Sequence, residues 1–467
     1  MTTTETTTRS TRRWLALTVL ALAQFLVVLD ASIVNIALPT LGQQLTLDTG
    51  ALSWVLTAYI LPFGGLLLFG GRLADRFGHR RIFLVGVAGF VVASLIAALS
   101  LSGGMLLAAR ALQGASAALL APASLALVTQ LFLTTADRAK ALGIWGAVAG
   151  IGSAAGVLLG GVLTAAFGWQ AVFLVNVPVG ILVLIVIPLL ITRDPIRAAQ
   201  KLDAPGAITV TTGLASLVFG LSQAQELGFA HPVTLGLLAA AAVLLTAFVV
   251  IERRTGSPLV PFAIFRNRSL LAGNLTMVLI GGATVALFFA LSVYLQAVLG
   301  YDALSAGLSQ LPLAGSLVLF AAVVPPVMQR FGARRTLIGS LLLLAVALGW
   351  LALAPADAGF VQHLLGPTIL IGIAMVGAFI AGTQLAVSDV DETDAGLASG
   401  LINTSQQIGG AVGLAVLATI AAARTESLVA AGSAPVDALA SGFSWVFAGA
   451  ALLSLAGAAV AAVVRRR

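Results

Sequence analysis

Long apolar stretches separated by short polar connections dominate the pattern of this chain. Each stretch is long enough to cross about 30 Å of hydrocarbon as a helix, and none alternates between apolar and polar residues as barrel strands do. The pattern predicts fourteen transmembrane helices, at residues 14–38, 49–70, 82–101, 105–131, 139–165, 170–192, 206–224, 233–252, 269–298, 303–328, 336–354, 361–387, 396–423 and 441–464. We therefore expect an all-α membrane protein.

The positions of Lys and Arg predict the orientation of these helices. If the N-terminus is cytoplasmic, every Lys and Arg except Arg110 and Arg424 falls in a cytoplasmic segment. This asymmetry follows the positive-inside rule, and an even number of helices then places both termini in the cytoplasm. The sequence thus predicts a multi-pass protein of the cytoplasmic membrane, in contact with anionic lipids of the inner leaflet.

Composition agrees with a membrane location and excludes several kinds of function. Apolar residues make up 60% of the 467 residues and charged residues only 9%, against about a quarter charged in soluble domains. The net charge of +7 reflects loop topology, so we expect no nucleic-acid partner. The absence of Cys and the three scattered His residues exclude disulfides and Cys- or His-rich metal sites. The chain has no phosphate-binding GxxxxGK[ST] loop, and we expect neither an enzyme nor a bound cofactor.

A short internal repeat predicts how the helices are grouped. Residues 77–81, Phe-Gly-His-Arg-Arg, recur as Phe-Gly-Ala-Arg-Arg at 331–335, each after the second helix of a six-helix block. Parallel repeats of this kind build transporters from two halves. The predicted divisions are a cytoplasmic tail (1–13), an N-terminal six-helix bundle (14–192), a linker with two extra helices (193–268), a C-terminal six-helix bundle (269–464) and a short tail (465–467). The polar start before an apolar run is similar to a signal peptide, but without a convincing cleavage site we expect an uncleaved first helix.

Asp30 is an acidic residue deep inside a predicted span. A carboxylate there costs several kcal/mol and usually serves a function. With a rise of about 1.5 Å per residue, Asp30, Arg110 and Gln113 lie about 12, 9 and 13 Å from the outer ends of their helices. The three side chains are therefore expected to meet. Two interpretations remain open, a proton carrier tuned by Arg110 or a static ion pair that joins the first and fourth helices.

Several motifs together resemble one transporter family. They are Leu29-Asp30 through Asn35-Ile36-Ala37-Leu38-Pro39, the loop segment 71–81, the group Arg110, Gln113 and Gly114, the stretch from Tyr294-Leu295-Gln296 to Gly300-Tyr301, and residues 396–400 with Asn403-Thr404. On these motifs the chain is similar to the fourteen-helix drug:proton antiporter branch of the major facilitator superfamily, the EmrB/QacA type. The resemblance implies two six-helix bundles with two inserted helices, working by alternating access.

The resemblance also implies roles for residues of the loop after the second helix. The conformational motif comprises Gly71, Asp75, Arg76, Gly78, Arg80 and Arg81. Asp75 is expected to cap a helix of the opposite half, near the start of the thirteenth helix, in the outward-closed arrangement. The arginines have an alternative role in setting topology alone.

The fifth helix departs from the motif that the family carries there. A Gly-Pro pair is expected, but the sequence reads Gly-Val-Leu-Leu-Gly-Gly at residues 156–161. Its flexibility then depends on glycines, of which we single out Gly152, Gly156, Gly160 and Gly161. Small residues at this spacing predict either a static close-packing face or a seam that moves during transport.

Polar and aromatic residues inside the spans are candidates for the substrate site. They are Gln24, Asn35, Trp54, Tyr59, Trp145, Asn274, Phe288, Phe289, Tyr294, Gln310, Phe379, Asn403 and Gln407. Each has the alternative of facing lipid or packing in the core.

The sequence predicts proton-coupled efflux of hydrophobic or amphipathic small molecules, such as drugs and antibiotics. The expected partners are that substrate, protons and membrane lipids, and we expect a functional monomer. Alternatives are an exporter of one natural product or metabolite, an importing symporter, and a membrane scaffold or receptor that transports nothing.

Overall fold

The computed structural model describes residues 3–47, 49–132, 135–192, 203–256, 258–262, 264, 267–387 and 395–463, and these ranges are almost entirely helical. The first seven helices are α1 (Thr3–Leu45), α2 (Thr49–Phe77), α3 (His79–Ala98), α4 (Gly103–Leu131), α5 (Thr135–Phe167), α6 (Ala171–Leu174) and α7 (Asn176–Leu190). An additional pair follows, α8 (Ala204–Leu227) and α9 (Pro232–Arg254). The remainder are α10 (Arg268–Val293), α11 (Ala303–Ala321), α12 (Val324–Phe331), α13 (Ala333–Leu351), α14 (Leu365–Val387), α15 (Ala395–Ala430) and α16 (Pro435–Val463).

The predicted membrane-spanning character is confirmed. In the described part of the chain, 13 helices are long and apolar enough to cross a membrane, and α5 contributes a shorter apolar stretch, Ala155–Phe167. Each of the fourteen predicted spans coincides with helix. Two of them continue through a π-helical turn, at Tyr294–Val298 after α10 and at Phe360–Leu364 before α14.

Proline divides two of the predicted spans. The sixth consists of α6 and α7, which meet at Val175, and Pro178 has no N–H to donate to the carbonyl of Leu174. The tenth consists of α11 and α12, and Pro325 and Pro326 lie in the first turn of α12. Proline removes a backbone donor and is tolerated in a first helical turn, so each helix restarts there.

The internal repeat has the same backbone form in both copies. Gly78 separates α2 from α3 with φ 95°, and Gly332 separates α12 from α13 with φ 82°. A side chain with a Cβ rarely adopts such positive φ values, so glycine is the residue that this tight corner requires. We call the end of the bundle that carries these two corners the arginine-rich end, because residues 80–81 and 334–335 lie there.

The additional pair lies between the two groups of helices that precede and follow it. Helix α1 packs on α5 and α7, and α2 and α3 pack on α4, whereas α10 packs on α15 and α16. Helices α8 and α9 pack on each other, and α8 also contacts α2 and α15. Contacts between the two groups include α2 with α15, α5 with α11 and α1 with α10.

At the end opposite to the arginine-rich end, the two groups are joined by hydrogen bonds. The hydroxyl of Ser292 donates to the carbonyl of Asn35, and Nε2 of Gln296 donates to the carbonyl of Ile36 at 3.0 Å. Gly161 of α5 lies so close to α11 that a Cβ there would be 2.8 Å from the carbonyl oxygen of Ala303. The helices are thus tightly closed at this end.

Candidate proton-coupling site

Asp30 lies at the centre of a fully buried polar network that includes Arg110 and Gln113. Its Oδ2 accepts a hydrogen bond from Nη1 of Arg110 at 2.5 Å. Its Oδ1 accepts from Nε2 of Gln113 at 3.0 Å and from Nδ2 of Asn176 at 2.8 Å. All four side chains have essentially no exposed surface. Helices α1, α4 and α7 therefore meet at one carboxylate in a medium where each charge-assisted hydrogen bond is strong.

The guanidinium of Arg110 is also held by groups other than Asp30. Its Nε donates to the carbonyl of Val55 at 3.0 Å, and its Nη1 donates to Oε1 of Gln113 at 2.9 Å. Its Cζ lies 4.4 Å from the centre of the Tyr59 ring, a cation–π distance. A Cβ on Gly114 would overlap the carbonyl of Tyr59, so this glycine allows α2 and α4 to approach closely. Arg110 therefore has partners on α2 in addition to Asp30.

Sequence reasoning missed two members of this network. Asn176, the first residue of α7, donates to Asp30, while its own Oδ1 has no hydrogen-bond partner among the described residues. Ser94 of α3 accepts from Gln113 at 2.9 Å and donates to the carbonyl of Phe90. Both are neutral residues inside long apolar runs. The only feature of the sequence that could have indicated them is a polar side chain at membrane depth.

The loop motif forms a second polar chain at the arginine-rich end. Asp75 pairs with Nε2 of His79 at 3.1 Å, and Nδ1 of His79 lies 3.0 Å from Nε2 of Gln130. The Asp75 side chain is 54% exposed and that of His79 only 10%. The contact of Asp75 that the structure describes is thus within its own half. Side chains 395–397 at the start of α15, and the acidic run 389–394, lie outside the described residues, so capping of that helix by Asp75 stays a prediction.

Other residues of this motif connect neighbouring helices. Arg72 donates to the carbonyl of Pro258 at 3.1 Å, and Arg80 donates to the carbonyl of Pro188 at 3.4 Å. The guanidinium of Arg76 lies 5.2 Å from the ring of Phe77. Arg72 thus joins α2 to the segment that follows α9, which no sequence pattern indicated.

The glycines of α5 pack against α1 beside Asp30. A Cβ would lie 3.2 Å from Val28 at Gly152, 2.7 Å from Ser32 at Gly156 and 2.8 Å from the carbonyl oxygen of Ile33 at Gly160. Gly161 instead faces α11 of the other group. The glycine-bearing part of α5 therefore contacts both α1 and the opposite half. This geometry fits the static packing face and the moving seam equally well.

The candidate substrate residues fall into two sets. Those that are buried are Asn35, Tyr59, Asn274, Phe289, Tyr294 and Gln310. Several take part in packing: Tyr59 faces Arg110, and Asn274 accepts from Ser405 at 2.8 Å. The amide of Gln310 has no hydrogen-bond partner in the described part of the chain. These residues reach a ligand only if the helices around them move.

The second set keeps some exposed surface. Gln24, Trp54, Phe288, Phe379 and Gln407 are partly exposed, and Asn403 is exposed. Trp54 stacks edge-on with Phe219 of α8 at 5.6 Å between ring centres, so it joins the additional pair to α2. The side chain of Trp145 lies outside the described residues. The exposed surface of the remaining members faces either lipid or a path open to a ligand.

Comparison with known sequences identifies relatives over most of the chain. The model of the Major Facilitator Superfamily matches residues 20–414. The cephamycin export protein CmcT of Amycolatopsis lactamdurans is 42% identical over 97% of this chain and 92% of its own length. The puromycin resistance protein pur8 of Streptomyces alboniger is 39% identical, over 90% of this chain and 84% of its own. The lincomycin resistance protein of Streptomyces lincolnensis is 38% identical, over 88% and 85%.

Comparison with solved structures agrees on the fold. The crystal structure of an auto-inhibited POT family peptide transporter aligns with a TM-score of 0.71 over 97% of this chain and 98% of its own, at 17% identity. This likeness concerns the arrangement of helices alone. Together, the helical architecture and the relatives place the protein in a multi-pass membrane family. The chain belongs to the Major Facilitator Superfamily, and its relatives there include antibiotic export and resistance proteins.

Proposed function

We propose that the protein exports hydrophobic or amphipathic small molecules, including antibiotics, in exchange for protons. The observation that carries the proposal is the network around Asp30, a carboxylate buried at membrane depth with three hydrogen-bond donors. The names of the relatives, which describe cephamycin export and resistance to puromycin and lincomycin, support an antibiotic-like substrate.

The network provides a physical route to proton binding. The Arg110 guanidinium lies at hydrogen-bond distance from the Asp30 carboxylate and pairs with it. If a conformational change draws α1 away from α4, Asp30 loses that cation in a medium where an isolated charge is costly, and it takes up a proton. Arg110 then retains Val55, Gln113 and Tyr59, so its own charge stays compensated.

Alternating access would link this step to substrate movement. We take the arginine-rich end as cytoplasmic, on the positive-inside rule, with both termini there and the protein in the cytoplasmic membrane. The contacts at the opposite end then close the external side. The glycine-bearing part of α5 contacts α1 beside Asp30 and also contacts α11 of the other half. Movement of one half relative to the other would therefore displace the helix that packs next to Asp30.

The alternatives differ from this proposal in what they require of the site. A scaffold or receptor gains nothing from burying Asp30 and Arg110, whose desolvation is costly. An importing symporter would use the same proton site with the opposite substrate gradient. An exporter of one natural product would differ only in the width of its specificity.

Transport by the purified protein in sealed vesicles tests the proposal. With an imposed pH gradient, we expect uphill movement of an antibiotic-like substrate that stops when an uncoupler collapses the gradient. Accumulation in the same direction as proton flow would indicate a symporter. Binding without movement, or the absence of any effect of the gradient, would contradict the proposal.

The charge of the substrate can be predicted from the acidic residues. Among the described residues, Asp30 is the buried carboxylate near the middle of the membrane. Asp302 lies instead at the exposed start of α11. A single carboxylate suits neutral or monocationic substrates. We expect cells that produce the protein to be protected against such compounds more than against dicationic biocides. Stronger protection against the dications would contradict this prediction.

Asp75→Asn is expected to slow transport without unfolding the protein. The substitution removes the charge that faces His79 and that would favour the start of a helix in the other half by about 0.3–1 kcal/mol. Shifts of about 1–2 kcal/mol change a two-state population about 5- to 30-fold, so loss of both interactions should reduce turnover. Gln329→Asn, at the equivalent position of the second copy, is the matched control. A stable Asp75→Asn protein with the normal transport rate would rule out a role of Asp75 in stabilising the outward-closed arrangement.

A further inference from the structure

Two acidic residues outside the Asp30 network lie against each other at the arginine-rich end of the additional helix pair. Asp203 caps the start of α8, where its Oδ1 accepts from the backbone N–H of Gly206 at 2.8 Å. Glu252 lies in the last turn of α9, and its Oε2 accepts from the N–H of Val260 at 2.9 Å. Their exposed fractions are only 3% and 4%.

The two remaining carboxyl oxygens point to one place. Oδ2 of Asp203 and Oε1 of Glu252 are buried and have no hydrogen-bond donor among the described residues. A Cβ built on Gly206 would lie 2.6 Å from the first and 2.7 Å from the second. The two carboxyl groups therefore lie beside each other on the same side of Gly206. Two carboxylates in such contact cannot both be ionised without large repulsion, and sharing one proton relieves it.

The described ion pairs include neither Asp203 nor Glu252. Of the basic residues nearby, Arg253 lies over the ring of Phe262 at 6.0 Å, Arg254 is exposed, and Arg72 on α2 donates to Pro258. Helix α15 contributes an apolar residue, Leu401, to the contact with the segment that follows α9.

The surroundings also favour a proton over a metal ion. The polar groups that the described residues bring to the pair include the N–H groups of Gly206, Leu259 and Val260, which are donors and cannot ligate a cation. The described residues contain no group of three or more His, Cys, Asp or Glu that could hold a metal. Two carboxylates alone fall short of the six or more oxygen ligands that Ca²⁺ or Mg²⁺ prefers.

The pair holds a segment that touches both halves of the protein. Leu259 and Val260 are buried in one cluster with Ala207 of α8, Leu66 of α2 and Leu401 of α15. Glu252 binds the N–H of Val260, and Arg72 binds the carbonyl of Pro258. The position of this segment, residues 258–260, therefore depends directly on the Glu252 carboxyl.

We propose that Asp203 and Glu252 form a proton-binding site, distinct from Asp30, which holds one shared proton and thereby fastens residues 258–260 between α2 and α15. Loss of the proton places two adjacent negative charges in a buried site. Their repulsion separates α8 from the end of α9 and loosens the segment. The inserted helices thus respond to pH at the arginine-rich end.

Infrared spectroscopy of the purified protein tests this site without measuring transport. The background is Asp30→Asn, which removes the remaining buried carboxyl among the described residues. We expect a protonated carboxyl C=O band at neutral pH that shifts in D₂O and disappears when pH is raised towards about 9, the range reached by buried carboxyl groups. The band should be absent after Asp203→Asn or Glu252→Gln. It should persist after Asp302→Asn, the matched control, because Asp302 also caps a helix but is exposed.

Stability provides a second measurement. A native state that holds one more proton than the unfolded state loses stability as pH rises, by up to about tenfold in the unfolding constant per pH unit. Glu252→Gln should flatten this dependence, because its amide donates to Asp203 at every pH, whereas Glu252→Ala should destabilise the protein throughout. If either variant fails to fold, the presence of the C=O band in the Asp30→Asn protein and its loss at high pH still test the proposal. A missing band, a band unchanged by both substitutions, or a band that responds to Mg²⁺ or Na⁺ but not to pH would overturn the proposal.

Discussion

Asp30→Asn is expected to abolish uphill, proton-driven efflux while leaving the protein folded. Asn keeps the volume of Asp and can still accept from one of the three donors around it, but it cannot bind and release a proton. Arg110 keeps its bonds to Val55 and Gln113 and its contact with Tyr59, so the loss of the carboxylate does not leave the cation alone.

The size of the expected loss follows from the energy that one proton carries. At about 100 mV a proton contributes about 2.3 kcal/mol, and each pH unit adds about 1.36 kcal/mol. For a neutral substrate the voltage alone supports a gradient of about 50-fold, since 1.4 kcal/mol is a factor of ten. A monocation exchanged for one proton moves no net charge, so the pH gradient alone would drive it. The variant should lose this accumulation entirely.

Reconstituted vesicles with an imposed pH gradient provide the measurement. Downhill exchange of labelled substrate reports whether the variant still folds and alternates between its states. Asp302→Asn, which neutralises an exposed carboxylate at the start of α11, is the control and should transport normally. Normal proton-driven accumulation by Asp30→Asn would show that another group carries the proton.

The sequence predicted the helices well because lipid imposes a simple rule on them. A segment that crosses hydrocarbon must be apolar over about 20 residues, and that is visible without knowledge of packing. The interruptions at Val175 and at residues 322–323 were missed, because apolar residues continue through both. There the missing N–H of a proline, at Pro178 and Pro325, outweighs the hydrophobic pattern.

The candidate proton-coupling site was predictable in Asp30, Arg110 and Gln113 but not in its other members. Asp30 and Arg110 stand out because a charge at membrane depth is costly, and the helical rise placed them at the same level. Asn176 and Ser94 carry no charge, so nothing in the sequence separated them from other polar residues in apolar runs. Asp203 is the N-cap of α8, where Asp is common, and Glu252 lies in the last turn of α9 next to two arginines. Only the fold shows that both are buried.

Arg110→Met is expected to destabilise the protein strongly, and the double variant with Asp30→Asn to recover much of that loss. Removing one partner of a buried ion pair costs about 3–5 kcal/mol, because Asp30 must then either keep a buried charge without its partner or take up a proton. Replacing both charges by neutral residues of similar volume is often close to neutral. A double-mutant cycle on unfolding in mild detergent measures this coupling, and additive effects of the two substitutions would contradict it.

The same double variant separates the two interpretations of the pair. If Asp30 and Arg110 only hold α1 and α4 together, restoring stability should also restore proton-driven transport. If Asp30 carries the proton, the double variant should be stable and should exchange substrate downhill, yet accumulate nothing against a gradient. We expect the second outcome, because Asp30 is hydrogen-bonded by residues of two helices, α4 and α7, whereas Arg110 has its own partners on α2. Proton-driven accumulation by the stable double variant would establish the static pair instead.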